Sequence, residues 1–184
     1  MDARDKKEIV ERILSRAETG LYFLTDFLSN RNAKDGAYFR SILIILSYSF
    51  ELVLKARVVS ITKSINKTEL EKELRDLNHD IMKISEKLGD KELNNIGIKS
   101  VSTRANNNFL GYIIRTNDEK EFFIENFIDV RYDFLKDSLR NLEEDEKVKE
   151  GIRVILDIVQ RTRELSAQTA SIFTEKICQN SLTG

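Results

Sequence analysis

AYFRSILIILSYSFELVLKARVVSITKS, residues 37–64, is the stretch of the chain that decides the fold. It contains neither proline nor glycine, and its apolar residues recur with helical spacing around most of the circumference. Its most apolar run, from Ile42 to Phe50, is about half the roughly 20 residues that a membrane-spanning helix needs. We therefore expect a buried core helix and no membrane association.

Three further helices are predicted around this one. The first spans about residues 4 to 29. The third starts at a capping box, Thr68 to Glu71, and ends at Gly89, with leucine and isoleucine at alternating spacings of four and three. The last runs from about 145 to 178, after an acidic turn at Glu143 to Glu146. The apolar positions that should face the core are Ile9, Ile13, Leu21, Leu24 and Leu28 in the first helix, and Val148, Ile152, Ile155 and Val159 in the last.

Between the third and last helices the pattern changes to that of β-structure. Residues 112–115 and 121–124 are rich in β-branched and aromatic side chains, and the polar loop from Thr116 to Lys120 joins them, which predicts a β-hairpin. Residues 98–103 are a candidate third strand, and a short helix is expected over 127–139.

These elements define one fold class for the 184 residues. We predict a mainly α, single-domain protein over residues 1–184, an up-and-down bundle of four to five helices with an antiparallel β-hairpin inserted at about 96–127. The absence of proline suits long helices, because the commonest helix breaker is missing.

Composition narrows the function classes. Thirty basic and 31 acidic residues give a net charge of −1, so the chain lacks the basic excess of a general nucleic-acid binder. A single cysteine, Cys178, excludes an internal disulfide, and the charged segment from Met1 to Glu11 has no signal-peptide core, which favours a cytoplasmic protein. No phosphate-binding glycine loop, paired cysteines or histidine metal motif occurs, so we expect neither metal nor cofactor.

Two polar features stand out on the predicted helices. Arg40, Ser47, Glu51 and Lys55 fall on one sector of the helix over 37–64, either as a surface strip or as a strip facing a groove or a partner. His79 is the only histidine, and histidine is the side chain whose ordinary pKa lies nearest neutrality. If the third helix is continuous, His79 lies opposite its apolar seam. Its role is then structural, an interface or ligand contact, or catalytic.

Three motifs, taken in order, resemble one family. Residues 47–56, SYSFELVLKA, contain an aromatic-Glu-apolar-apolar-Lys-Ala pattern; residues 79–84, HDIMKI, resemble a His-Asp-Leu helix start; residues 129–134, DVRYDF, resemble an Arg-Tyr element. Together they resemble HEPN-family domains. The resemblance implies a helical bundle, often a homodimer, in prokaryotic defence, toxin–antitoxin or nucleotide-transfer systems.

The resemblance also implies where a site would lie. Active family members are metal-independent ribonucleases in which four to six residues separate an arginine from a histidine at a dimer cleft. Here Arg75 precedes His79 with only three residues between them, which favours a non-catalytic member. The candidate ligand-binding or interface residues are Glu51, Lys55, His79, Asp80, Arg131 and Tyr132.

Three functions follow from these residues. The leading expectation is a non-catalytic binding or regulatory module, with a protein or RNA as partner. The first alternative is a metal-independent ribonuclease in which His79 acts as general acid or base and Arg131 stabilises the developing charge. The second is a structural subunit of a larger complex, in which Arg131 bridges helix ends and the Tyr132 ring packs. A homodimer is expected because Thr162, Ser166 and Thr169 continue the apolar seam of the last helix with poor core-filling residues.

Overall fold

A computed structural model describes residues 3–29, 39–62, 66–106, 109–125 and 143–181. These residues form five helices and three strands. In chain order the elements are α1 (Ala3–Ser29), α2 (Phe39–Ile61), α3 (Lys67–Asp76), α4 (Ile81–Asn95), β1 (Ile98–Asn106), β2 (Phe109–Thr116), β3 (Glu121–Glu125) and α5 (Glu143–Ser181). The predicted mainly α fold with an antiparallel insertion is confirmed. The helix expected over 127–139 lies outside the described residues.

Helix α2 is the centre of the core, as its apolar circumference predicted. It packs against α1, α4, α5 and the outer strand β3. The face that α1 presents is shifted from the prediction. Leu21 and Leu24 are buried as expected, but Ile9, Ile13 and Leu28 are only partly buried. In the first half of α1 the fully buried residues are instead Val10, Leu14 and Ala17. The physical reason is that α1 contacts both α2 and α5, so its buried face is wider than a single seam.

The predicted third helix is two helices. Its N-cap is Asn66 and not Thr68: Asn66 Oδ1 accepts from Glu69 N at 2.9 Å, and Glu69 Oε2 accepts from Asn66 N at 3.2 Å. Helix α3 then ends at Asp76, and Asn78 adopts a left-handed backbone with φ of 51°. Asp80 starts α4 by accepting from Met82 N and Lys83 N at 3.0 and 3.2 Å. Gly89 with φ of 72° kinks α4 but does not end it.

The inserted sheet has the strand order β1-β2-β3, and both pairings are antiparallel. The hairpin of β2 and β3 closes with Thr116 N donating to Lys120 O at 2.9 Å, as predicted, and the candidate third strand is also confirmed. One face of the sheet packs on the bundle, where Phe122 meets Phe50 edge-on with ring centroids 6.0 Å apart. The inward side chains of the sheet therefore belong to the same apolar core as those of the helices.

Helix α5 corrects two expectations. The acidic run from Glu143 to Glu146 is helical and not a turn, in keeping with the preference of carboxylates for helix N-termini. Thr162 and Ser166 are buried within the monomer, where Ser166 Oγ lies 3.1 Å from Ser60 Oγ of α2. Because their small side chains let α5 approach α2, they supply no argument for a dimer. The side chain of Thr169 is outside the described residues.

Candidate functional site

The polar sector of α2 is buried at its middle. Ser47 and Glu51 are each about as inaccessible as the apolar core, with the Glu51 side chain only 3% exposed. The surface-strip interpretation is therefore wrong at these two positions. The connection between α3 and α4 lies beside this part of α2, as the contacts of Asn78 and His79 with α2 side chains show. The side chain of Arg40 lies outside the described residues.

Glu51 orients the imidazole of His79. His79 Nδ1 lies 2.9 Å from Glu51 Oε2 and 3.2 Å from Oε1. An ionised carboxylate can only accept hydrogen bonds, so Nδ1 is the donor. In a neutral ring this tautomer places the lone pair on Nε2. The ring is half-buried, with 38% of the side chain exposed, and sits in the break between α3 and α4 instead of on the far face of a continuous helix.

Lys55 ties the same carboxylate to the backbone of the break. Its Nζ lies 2.7 Å from Glu51 Oε1 and donates to the carbonyl oxygen of Asn78, also at 2.7 Å. The side chain is only 14% exposed. We refer to Glu51, Lys55, Asn78 and His79 as the Glu51 cluster. Its contacts satisfy a buried charge and also stabilise the left-handed residue that lets the chain turn from α3 into α4.

Ser47 lies one helical turn before Glu51 and differs from the cluster in one respect. Its Oγ is buried and has no hydrogen-bond partner among the residues that the structure describes. A buried hydroxyl without a partner costs free energy. The sector thus contains one unsatisfied polar atom beside a fully engaged carboxylate.

The structure brings together three of the six predicted site residues, namely Glu51, Lys55 and His79. Asp80 follows His79 directly, but its carboxylate accepts from the first backbone amides of α4, which makes it a helix cap. Arg131 and Tyr132 lie outside the described residues. Asn78 was not among the predicted site residues, although an asparagine two residues before an Asp that can cap a helix is a recognisable signal for a left-handed turn.

A second buried ion pair on α2 also escaped the sequence analysis. Arg57 is 5% exposed; its Nε donates to Glu92 Oε2 of α4 at 3.0 Å, and its Nη1 donates to Ser60 Oγ at 3.3 Å. Arg57 lies outside the polar sector that the helical wheel singled out, so nothing in the sequence pattern pointed to it. This pair and the Glu51 cluster both join α2 to the α3–α4 region.

Within the described ranges, no three histidine, cysteine or acidic side chains group closely enough to hold a metal ion. None of the described helices combines the length and apolar character required to cross a bilayer. No family model, curated protein or solved structure matches this chain. We therefore infer function from the geometry of the Glu51 cluster and from the three sequence motifs.

Proposed function

We propose that this chain is a HEPN-like binding or regulatory module, without catalysis of its own, in a prokaryotic defence, toxin–antitoxin or nucleotide-related system. The helical fold is compatible with the bundle that the resemblance implies. Two of the three motifs contribute to one cluster, since residues 47–56 contain Glu51 and Lys55 and residues 79–84 begin with His79.

The observation that carries the proposal is that the charges of the Glu51 cluster are satisfied internally. Lys55 is held by Glu51 and by the carbonyl oxygen of Asn78. A metal-independent ribonuclease needs cationic or donor groups aimed at the charge that develops on phosphorus. Lys55 is engaged and nearly buried, so it is poorly placed for that task. The cluster is better suited to holding the α3–α4 connection and the half-exposed His79 in a fixed position.

A ribonuclease remains the second candidate, and one observation favours it. A buried carboxylate fixes Nδ1 of a half-exposed histidine, the arrangement that orients a general base and stabilises its protonated form. In this alternative His79 exchanges the proton and Arg131 stabilises the charge on the transferred phosphoryl group.

A structural subunit of a larger complex is the third candidate. Tyr22 and Phe23 on α1 are 59% and 57% exposed, and neighbouring exposed aromatic side chains are enriched at protein interfaces. We include a homodimer, a protein or RNA partner and a cytoplasmic location in the proposal. The homodimer rests on the family resemblance, because Thr162 and Ser166 no longer support it.

RNA cleavage in EDTA tests the proposal. We expect no specific cleavage of a mixed single-stranded RNA by the wild type. A ribonuclease would instead cleave it, and His79→Ala should then lower the rate about 100-fold or more. His79→Asn is the informative second variant, because its amide nitrogen stands at the same distance along the side chain as Nδ1 and can still donate to Glu51 but cannot perform acid–base chemistry. Cleavage lost in both variants, while His79→Asn keeps the wild-type melting temperature, would overturn the proposal.

The matched control is Lys83→Ala. Lys83 is an exposed residue of α4 and does not belong to the Glu51 cluster. Binding of fluorescein-labelled RNA, measured by anisotropy with the same variants, separates an RNA-binding module from one that recognises protein. Loss of binding in His79→Ala but not in Lys83→Ala supports a contact at the exposed edge of His79.

A further inference from the structure

The outward face of the sheet lies on the side opposite the bundle. Side chains alternate between the two faces of a strand, and the inward ones, buried in the core, include Tyr112, Ile114, Phe122 and Ile124. The register of the three strands then gives the described side chains of the opposite face, which include Ser102, Arg104, Ile113, Arg115, Glu121 and Phe123. We refer to these six residues as the outer sheet face.

Phe123 places an aromatic ring on this face. The ring lies across Gly111 of the neighbouring strand, where a Cβ would overlap its Cζ and Cε2 atoms. Gly111 is therefore buried, while Phe123 itself remains 37% exposed. An aromatic cover over a strand glycine stabilises a sheet, which explains the contact with Gly111 but makes no use of the exposed part of the ring. Because the ring is held against the backbone, a flat group can stack on it at little cost in side-chain entropy.

Two arginines flank the ring. Arg104 is directly opposite Gly111 in the β1–β2 register and so lies beside the ring that covers this glycine. Arg104 makes no hydrogen bond or ion pair with any residue in the described ranges. On the other side of the ring, Arg115 pairs with Glu121 at 2.9 Å, and both side chains are about half exposed. An exposed pair of this kind contributes little to stability, so Arg115 is able to exchange Glu121 for another anion.

We propose that the outer sheet face binds single-stranded RNA, with one base stacked on Phe123 and the adjoining phosphates held by Arg104 and Arg115. The positions of the two arginines are four residues apart along β2, or about 13 Å, with the aromatic ring between them. Aromatic stacking of bases together with cations along the backbone is the general chemistry of single-strand recognition. The inference rests on the RNA partner of the proposed function and assigns it a surface that does not include His79.

Ser102 favours RNA over DNA. It lies in the same row of the sheet as Ile113 and Phe123, and its side chain is exposed. A serine hydroxyl both donates and accepts a hydrogen bond, as does the ribose 2′-hydroxyl that DNA lacks. A nucleotide stacked on the ring therefore has a matching polar group next to it on β1.

Fluorescence anisotropy tests the aromatic contact, with the full chain and a fluorescein-labelled single-stranded RNA of about eight nucleotides. Because the face has few cations, we expect weak binding, with a Kd of roughly 1–100 µM at about 50 mM salt. Phe123→Leu keeps an apolar cover over Gly111 but removes the ring, and it should weaken binding about tenfold. Phe123→Trp should retain binding, and the melting temperatures of both variants report whether the sheet is intact.

Charge variants keep the test decisive if the sheet does not tolerate a change at Phe123. Arg104→Gln should weaken binding and lower its salt slope by about 0.7, the value of one phosphate contact on a single strand. Glu121→Gln should strengthen binding by up to about fivefold, because it frees Arg115 and removes a negative charge, a gain that a purely structural role does not produce. The matched control is Arg16→Gln, an exposed arginine of α1, which should leave binding unchanged.

The opposite results are equally specific. RNA binding that is unchanged in folded Phe123→Leu and in Arg104→Gln would refute the outer sheet face and leave the RNA partner at another surface. A single-stranded DNA of the same sequence that binds equally tightly, or an acidic peptide that displaces the RNA at equal concentration, would refute the assignment to RNA. A wild type that binds no RNA would refute the RNA partner as well, while the cleavage assay still decides whether the module is non-catalytic.

Discussion

The Glu51 cluster and the contact between α1 and α5 are both built from three charged or titratable side chains, but they differ in burial and in what they join. In the second contact, the Arg163 cluster, Arg163 binds Glu18 through two parallel hydrogen bonds of 2.9 and 2.7 Å, and its Nε donates to Glu11 at 3.1 Å. These hydrogen bonds, with that to Glu18 the strongest, raise the pKa of the Arg163 guanidinium. Its side chain is 28% exposed, against 3% for Glu51.

The difference shows that the stability lost when a charged partner is removed depends more on the burial and location of the cluster than on its number of contacts. Arg163 lies between two helices that already pack through apolar side chains, and water reaches it. The Glu51 side chain is almost completely buried, so water cannot fully replace a hydrogen-bonding partner that a substitution removes. Its partners also belong to a break in the chain, where Asn78 holds a left-handed backbone. We therefore expect changes in the Glu51 cluster to be more costly than changes in the Arg163 cluster.

The largest expected effect is that of Glu51→Ala. It removes the acceptor of both Lys55 and His79, and we expect the free energy of unfolding to fall by about 3 kcal/mol, at the lower end for a buried pair because His79 is half-exposed. Urea unfolding followed by circular dichroism measures it. The control Glu121→Ala removes an exposed partner of Arg115 and should change stability by less than about 1 kcal/mol. Equal effects of the two variants would contradict the assigned importance of burial.

A smaller and more local effect is expected for Lys55→Met. The substitution keeps the aliphatic packing but loses the charge-assisted hydrogen bond to the Asn78 carbonyl oxygen and one of the two partners of Glu51. We expect a loss of roughly 2 kcal/mol, below that of Glu51→Ala because His79 still donates to the carboxylate. Hydrogen exchange should become faster at the amides around Asn78 and Asp80 while α1 and α5 keep their protection. Uniformly faster exchange throughout the molecule would mean that Lys55 supports the whole bundle and not the break.

The sequence predicted the helices and the hairpin because their apolar periods are long and regular. It failed at the break between α3 and α4 because Leu74, Leu77, Ile81 and Ile84 keep helical spacing across it. Periodicity records which side chains face the core, and both helices face the same core. The signals that opposed continuity were Asn78 and Asp80, whose side chains favour turns and caps.

The candidate site was predictable only in part. The family resemblance predicted that Glu51, Lys55 and His79 share a site, and the structure places them in contact. The burial of Glu51 was not predictable, because a polar sector on a helix has the same sequence whether water or a loop covers it. The buried Arg57–Glu92 pair was missed for a related reason: each residue alone resembles a surface charge.

Arg163→Ala tests the exposed side of the comparison. We expect a loss of about 1 kcal/mol at low salt, because bidentate geometry places the contact at the upper end for partly exposed pairs. The loss should shrink in about 1 M NaCl, where screening is strong, whereas the effect of Glu51→Ala should persist. Parallel urea titrations at two salt concentrations provide the measurement. A salt-independent loss would show that Arg163 acts through packing of its aliphatic stem.

The smallest expected effect concerns a solvent-accessible contact between the β2–β3 loop and α5. Lys120 lies 3.1 Å from Glu150, and this hydrogen bond lowers the pKa of the Glu150 carboxyl. A carboxyl with a lowered pKa in the folded state adds stability above its unfolded pKa of about 4.3 and loses it as the pH falls through the folded value. Lys120→Ala should therefore lower the melting temperature slightly at pH 6 to 8, where carboxyl groups with this ordinary pKa are ionised. It should not lower the melting temperature once Glu150 is protonated. Melting curves of both proteins across the acidic range test this, with Lys147→Ala, which changes an exposed lysine of α5, as the control. A difference that survives at the lowest pH would mean that Lys120 stabilises the loop through contacts other than its charge.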